Sequence, residues 1–340
     1  MTTEAGLTVA VTGPTGDLGR SLVRALERAG EVARIRAMGR RPFDPAAEGL
    51  RKTEYRQADV LDPEAVRAVV EGADVVVHLA FMIIGSVRET TQINLEGSRN
   101  VFGAAIDAGV PRLVYASSVA AYGFSADNPE LLTEDLEPRG TRRHYYSAQK
   151  AELEVALREL LAGSTTGGYV FRPCIVAGPD ALTLVQTIPY VQLSEKMPAP
   201  ILRALEFMPA LKPVIPDPGV PFQLVHHDDV ADAMCAAVLG RGEPGVYNLA
   251  GDGTLTMADL ADALGWYSVP VPDLAMGAAA ELVARLPFVP DEAQWIESVR
   301  RPVIMDTTRA RELLGWQPRY NARQTLALMV QAARSEQLIR

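Results

Sequence analysis

The sequence predicts an α/β protein built on a doubly wound parallel sheet, with a small, mostly C-terminal lobe beside it. Three observations lead there. Short apolar runs alternate with helical patterns through the first half of the 340-residue chain. One run, residues 75–79, is nearly continuous in apolar residues, as in a parallel strand buried on both faces. A glycine-rich turn, Thr12-Gly13-Pro14-Thr15-Gly16-Asp17-Leu18-Gly19, joins the first run to the first helix.

Residues 7–11 form the first strand by their apolar, β-branched composition. Leu18, Leu22, Val23, Leu26 and Ala29 then repeat at helical spacing, with Gly30 where a C-cap belongs. Strands follow at 34–38 and 55–58, and Asp62-Pro63 opens a helix with proline in its first turn. After the strand at 75–79 come a long helix over 89–108, a strand at 112–116, a helix over 143–161 and a strand at 169–172. Such alternation with short connections puts helices on both faces of one sheet. Beyond Gly178 the pattern loosens. Residues 181–221 are proline-rich without a clean period and read as loops and short helices capping the C-terminal edge of the sheet. The expected division is residues 1–178 for the sheet domain, with returns to it near 221–250, and 179–340 for the lobe.

Composition excludes several classes. The 33 basic residues against 42 acidic ones leave a net charge of −9, a poor match for nucleic acid or an anionic membrane. Two cysteines, Cys174 and Cys235, make no disulfide framework, and with four histidines they are too scattered for a metal site. The longest largely apolar run, 75–84, is about half of what a bilayer requires. Residues 1–6 lack the features of a signal peptide, so the expectation is a cytoplasmic protein.

Five features carry chemistry. In the first turn, glycine lets the chain bend tightly, admits a pyrophosphate to the backbone amides and packs helix on strand; the helix N-terminus adds positive partial charge. The bland alternative is a βα turn with no ligand. At the end of the second strand, where an acid would take a ribose 2′-hydroxyl, Gly39 is followed by Arg40 and Arg41. Two guanidinium groups suit a 2′-phosphate, hence NADP(H) with NAD(H) as the alternative; otherwise they are solvated surface arginines. Asp59 could accept from an adenine amino group or cap a helix. Finally, Tyr146 and Lys150 stand at i and i+4 on one helix face. An ammonium beside a phenol stabilises the phenolate and moves it toward working range. Ser117-Ser118 lies at the C-terminal end of a parallel strand, the edge where open α/β sheets bind ligands.

Together these pieces resemble the extended short-chain dehydrogenase/reductases, the NAD-dependent epimerase/dehydratase family. The resemblance runs nearly end to end. It includes His78-Leu79-Ala80, Asn94-Leu95-Glu96-Gly97, Ser117-Ser118 leading to Tyr122-Gly123, and Arg172-Pro173 leading to Gly178-Pro179. Val225-His226-His227-Asp228-Asp229-Val230 and Leu314-Gly315-Trp316-Gln317-Pro318 complete it. The resemblance implies a Rossmann fold with Tyr146 as general acid/base, Lys150 as its electrostatic partner and ribose ligand, and Ser118 on the reacting oxygen. Ser117 is the competing reading. It further implies dinucleotide contacts from Gly13, Thr15, Gly16, Asp17, Leu18, Gly19, Asp59, Val60, Leu79, Ala80, Asn94, Ser117, Pro173 and Ile175. His226 is assigned to structure.

Departures from the family pattern narrow the branch. Val119-Ala120 follows Ser118 where dehydratases carry Asp-Glu. Ile175 and Phe222 stand where nucleotide-sugar enzymes commonly have Asn and Arg, although Arg300 or Arg301 could still meet a phosphate. The candidate pocket wall is apolar: Phe81, Met82, Ile83 and Ile84, then Tyr122 and Phe124. The expectation is an NADP(H)-dependent oxidoreductase acting on a carbonyl/alcohol pair of an apolar small molecule. A nucleotide-sugar 4-epimerase and a non-catalytic dinucleotide sensor are the alternatives. The family commonly pairs two helices about a twofold axis, and Ile93, Leu95, Val101, Phe102 and Ile106 exceed the stripe needed to face a sheet; a homodimer is therefore expected.

Overall fold

The computed structural model describes residues 6–83, 85–142, 144–188, 190–192, 212–272 and 301–339. Its strands are β1 (Leu7–Thr12), β2 (Val32–Gly39), β3 (Thr53–Gln57), β4 (Val75–His78), β5 (Arg112–Ala116), β6 (Gly167–Pro173), β7 (Ile175–Ala177), β8 (Val214–Asp217), β9 (Leu224–His226), β10 (Gly245–Leu249) and β11 (Tyr267–Pro270). Seven of them form one sheet in the order β10-β6-β5-β4-β1-β2-β3, parallel throughout. The order reverses between β1 and β4, so a crevice opens at their C-terminal ends, where such sheets take ligands.

The helices are α1 (Asp17–Arg28), α2 (Pro63–Val70), α3 (Val87–Thr91), α4 (Gly97–Asp107), α5 (Tyr145–Leu161), α6 (Thr183–Gln186), α7 (His227–Val238), α8 (Met257–Leu264), α9 (Thr308–Leu314) and α10 (Ala322–Ser335). The two-residue period of a strand sends alternate side chains to opposite faces. Val9, Val11, Val75 and Val77 pack with Leu22 and Leu26 of α1 and Val230 and Met234 of α7. Ala10 and Val76 face the other way, onto Val66 and Val69 of α2, Val101 and Phe102 of α4, and Leu153 and Leu157 of α5. Both faces of the sheet are therefore covered, as the continuous apolar strands require. A third cluster, including Leu224, Leu260, Leu264, Leu326 and Met329, forms the core of the lobe.

Two expectations change. The long helix is interrupted: residues Gln92–Glu96 make one π turn between α3 and α4. The apolar surplus expected to seat a twofold partner is used inside the chain, since Ile93, Leu95, Val101 and Phe102 are buried and α4 packs between α2 and α5. Only Ile106 is left half-buried, so these residues do not call for a second copy. After residue 178 the chain returns to the main sheet through α7 and β10. Among the described residues no helix is long and apolar enough to cross a membrane. Most of the proline-rich stretch, residues 193–211, lies outside the described residues.

Candidate active site

The glycine turn is built by backbone crowding. Gly13 has φ +76°, and a Cβ there would sit 2.7 Å from the amide nitrogen of Ala80. At Gly19 a Cβ would come within 2.6 Å of the Pro14 carbonyl carbon. Gly16 differs: its nearest neighbour would be 3.6 Å away, so the missing side chain leaves room over the start of α1. No side chain caps that helix, and its first-turn amides face the space. Thr15 and Leu18 flank it, both half-buried. Asp17 is the one acid there; its carboxylate accepts the Thr183 hydroxyl at 2.8 Å, leaving its backbone as the part that can serve an anion.

Beside the turn, the segment carrying Arg40 and Arg41 is held by its backbone. The Tyr55 hydroxyl donates to the carbonyls of Gly39 (2.7 Å) and Arg41, and Gln57 Nε2 donates to the Arg40 carbonyl at 2.9 Å. Both arginines are exposed, and among the described residues neither has an acidic partner. The residues present thus fit a dinucleotide: an uncapped helix start for its pyrophosphate and two unneutralised guanidinium groups at the far end of β2. Asp59 accepts the Leu61 amide at 3.0 Å, and the helix cap falls to Asp62, which accepts from Glu64 and Ala65. Val60 is buried, its side chain lying where a Cβ on Gly97 would fall; it can offer a ligand only backbone. Leu79 and Ala80 are tied to β1 through Thr12, by bonds of 3.1 and 3.4 Å. His78 fixes the strand ends beneath them, with Thr12 Oγ1 at 2.7 Å and Ser98 Oγ at 2.8 Å.

At the end of β5 the two serines separate. Ser118 lies against the Tyr146 phenol and favours its charged form, whereas the buried Ser117 hydroxyl donates to Glu154. Ser118 is thus the serine that meets Tyr146, while the Ser117 side chain is committed to Glu154 and so is not offered to a cofactor. Burial pushes the Tyr146 phenol up, Ser118 pulls it back, and nearby Tyr145 adds to the rise. Lys150 Nζ donates to the Ala116 carbonyl at 2.7 Å and the Tyr115 hydroxyl at 3.4 Å. Burial lowers its ammonium to about 7, against the opposing pull of Glu154. The Phe81 ring lies over that ammonium, 3.6 Å from Nζ to its centroid, and meets Tyr146 edge-on at 5.5 Å.

Asn94, expected at the cofactor, is instead fully buried in the π turn. Its side chain accepts the Met82 amide (2.7 Å), donates to the Met82 carbonyl (2.9 Å) and donates to Gln149 (2.8 Å). It positions the loop that carries Phe81, Met82 and Ile83, all half-buried. Tyr145 holds the same loop through the Ile83 carbonyl. Ile84 lies outside the described residues. Tyr122 is no pocket wall: it is 1% exposed, its hydroxyl donates to Asn248 (2.8 Å) and the Thr133 carbonyl (3.0 Å), and its ring backs the Arg172 guanidinium. Phe124 packs on His144, which caps α5.

Sequence reasoning passed over Gln149 and Glu154. Glu154 is buried one turn beyond Lys150 and takes the Arg172 guanidinium at 2.5–3.1 Å. A charged residue in the apolar stripe of α5 is the signal that marks it. His226, His227 and Asp228 cluster more closely than expected, their ligand-type atoms lying within 4.8 Å. Three of their four ring nitrogens are nonetheless committed, while His226 Nε2 is buried without a hydrogen-bond partner among the described residues. His226 Nδ1 accepts the Asp228 amide (3.2 Å), capping α7, while His227 meets Ser21 of α1 (2.7 Å) and accepts the Asp180 amide (3.2 Å). The cluster is a joint between α1, α7 and β9, in keeping with the structural assignment of His226. Pro173 is buried at the end of β6, and Ile175 and Phe222 are each half-buried against the apolar core of the lobe.

The family model of the NAD dependent epimerase/dehydratase family matches residues 9–250. Protein y4nG of Sinorhizobium fredii is 26% identical over 94% of this chain and 76% of its own. Sterol demethylase protein B of Methylococcus capsulatus is 34% identical over 51% of this chain and 52% of its own. Among solved structures, UDP-glucose 4-epimerase of Thermotoga maritima with UDP-glucose superposes with a TM-score of 0.70 at 21% identity, covering 97% of this chain and 100% of that one. With the glycine turn, the Tyr146/Lys150 pair and the seven-stranded parallel sheet in place, the chain belongs to the NAD-dependent epimerase/dehydratase family and is an NAD(P)-dependent enzyme of the extended short-chain dehydrogenase/reductase type.

Proposed function

We propose that this enzyme interconverts a carbonyl and a secondary alcohol on an apolar small molecule, using NADP(H). The observation that carries the reading is the placement of Ser118 against the Tyr146 phenol, beside an apolar loop, Phe81 to Ile83, whose Phe81 ring packs on both Tyr146 and Lys150. A substrate oxygen placed between the two hydroxyls accepts from both. In reduction Tyr146 gives its proton to that oxygen as negative charge develops; in oxidation it takes the proton back. The Lys150 ammonium supports the phenolate and binds ribose. The dinucleotide, when bound, supplies or accepts the hydride.

Against a nucleotide sugar stand Ile175 and Phe222, apolar and half-buried against the lobe core. A buried diphosphate without two charged or polar contacts forfeits about 1.5–3 kcal/mol for each, enough together to lose a micromolar ligand. The name of the Methylococcus relative, sterol demethylase protein B, points toward apolar substrates as well. The exposed Arg40 and Arg41, without an acidic partner among the described residues, support NADP(H).

The test is a substrate panel with NADPH and NADP⁺: aromatic and alicyclic ketones, steroid-like alcohols, and UDP- and dTDP-hexoses. Turnover is expected on the apolar carbonyls with stoichiometric NADPH consumption. Epimerised hexose without net cofactor consumption would replace this reading with a 4-epimerase. Dinucleotide binding with no turnover on any compound would leave a sensor.

A further inference from the structure

We propose that Phe81 sets the affinity and arrival rate of the dinucleotide, because its ring holds the face of Lys150 that the cofactor's ribose must reach. The inference rests on the assignment of Lys150 as ribose ligand. An ammonium has three N–H directions. At Lys150 two are taken by the Ala116 carbonyl (2.7 Å) and the Tyr115 hydroxyl (3.4 Å), and the Phe81 ring stands 3.6 Å from Nζ on a further side. Tyr115 and Ala116 belong to β5, beneath the site; Phe81 comes from the β4 loop, at the ligand edge of the sheet. With the ring in place Lys150 is only 3% exposed. A ribose hydroxyl that bonds Nζ must therefore displace the ring, giving up a cation–π contact in a desolvated setting.

The loop is built so that the ring can move without the backbone. On one side Leu79 and Ala80 are bonded to Thr12. On the other, Met82 is clamped at both its amide and its carbonyl by buried Asn94, and Ile83 is held by Tyr145. Phe81 stands between these anchors, and its ring is placed by packing on Lys150 and Tyr146. Rotation about its side-chain bonds uncovers Nζ and leaves the anchors intact.

The experiment compares the full wild-type chain with Phe81→Ala and Phe81→Leu, the second retaining bulk without a π face. NADPH association and dissociation are followed by stopped-flow fluorescence. Separately, without NADPH, acylation of Lys150 by an amine-directed reagent is timed by peptide mass spectrometry. Phe81→Ala should bind NADPH about two- to thirtyfold more tightly, the range of a cation–π contact, mainly through faster association. It should also label Lys150 about tenfold faster or more, with Phe81→Leu intermediate. Unchanged labelling together with unchanged association would overturn the proposal. Weaker NADPH binding in Phe81→Ala would also overturn it, since the ring would then assist the bound cofactor rather than compete with it. Faster labelling in a protein that binds no dinucleotide would uphold the cover and refute the ribose role of Lys150. If Phe81→Ala does not fold, the same two readouts on Phe81→Leu decide.

Discussion

Replacing Glu154 by Gln tests the foundation on which the site stands. Glu154 and Arg172 are 6% and 1% exposed and meet through three nitrogen–oxygen contacts of 2.5–3.1 Å. The amide keeps the shape and can still accept from Ser117, but it leaves the guanidinium without a counter-charge. Its remaining contacts are the Leu136 carbonyl at 3.2 Å and the face of Tyr122. Breaking a buried pair in this way costs about 3–5 kcal/mol. The unfolding entropy of a chain this long is about 0.7 kcal/mol per kelvin, so Tm should fall by about 4–7 °C. Differential scanning calorimetry at pH 7.5 reads the shift. Removing the whole group, with Glu154→Met, Arg172→Met and Ser117→Ala combined, should recover most of the loss, because neither charge of the pair is left buried without the other. A Glu154→Gln protein that melts within about 1 °C of wild type, or a triple variant less stable than the single one, would refute the reasoning.

Tyr146→Phe should lower kcat at least ~10²-fold, the usual size of a general acid–base contribution, while leaving the Kd for NADPH nearly unchanged; steady-state kinetics and a fluorescence titration separate the two. Arg40→Ala should cost about ten- to a hundredfold in NADPH affinity by loss of a charge-assisted bond and leave NADH unaffected; a preference for NADH in the wild type would show both arginines to be surface groups. Burial lowers His78 to about 3 and His144 and His226 to about 4. Below the unfolded value of 6.5 the unfolded chain takes up protons that these rings refuse, so stability falls as pH drops from 6.5 toward 4. Each ring contributes up to about 1.4 kcal/mol per pH unit in that window, and a Tm that stays flat across it would refute their neutrality. Lys150, lowered from 10.5 to about 7, acts at the other end: stability should rise as pH climbs between those values, and Lys150→Met should remove that slope.

What the sequence made legible is local. The glycine turn, the i and i+4 placement of Tyr146 and Lys150, and the strand at Val75–His78 each lie within a few residues, and each has its expected place in the fold. The pairing of Glu154 with Arg172 was not legible, because the two come from different elements and only the sheet order brings α5 against β6. Tyr122 was misread for a related reason: a residue just past a strand end can turn toward the ligand or into the core, and only Asn248, distant in sequence, settles it. The π turn was hidden because one extra residue in a helix shifts the apolar period without breaking it. Asn94 thereby turns onto the Met82 backbone, which no count of helical spacing anticipates. The apolar surplus of α4 suggested an outside partner because the sequence does not show that two helices, α2 and α5, flank it at once.

The seventh strand has a consequence for how the molecule can be made. β10 lies at the sheet edge beside β6 and comes from residues 245–249. A ribosome that has delivered the proposed catalytic residues through Lys150, and β6 after them, has still to synthesise the lobe's first segments before that edge can close. Until then β6 presents an unpaired row of amides and carbonyls, the template on which chains pair wrongly. A nascent chain halted at residue 178 carries every proposed catalytic side chain and yet lacks its outer strand. The boundary drawn at that residue is thus a division of labour between surfaces, and it offers no seam along which the protein can be cut.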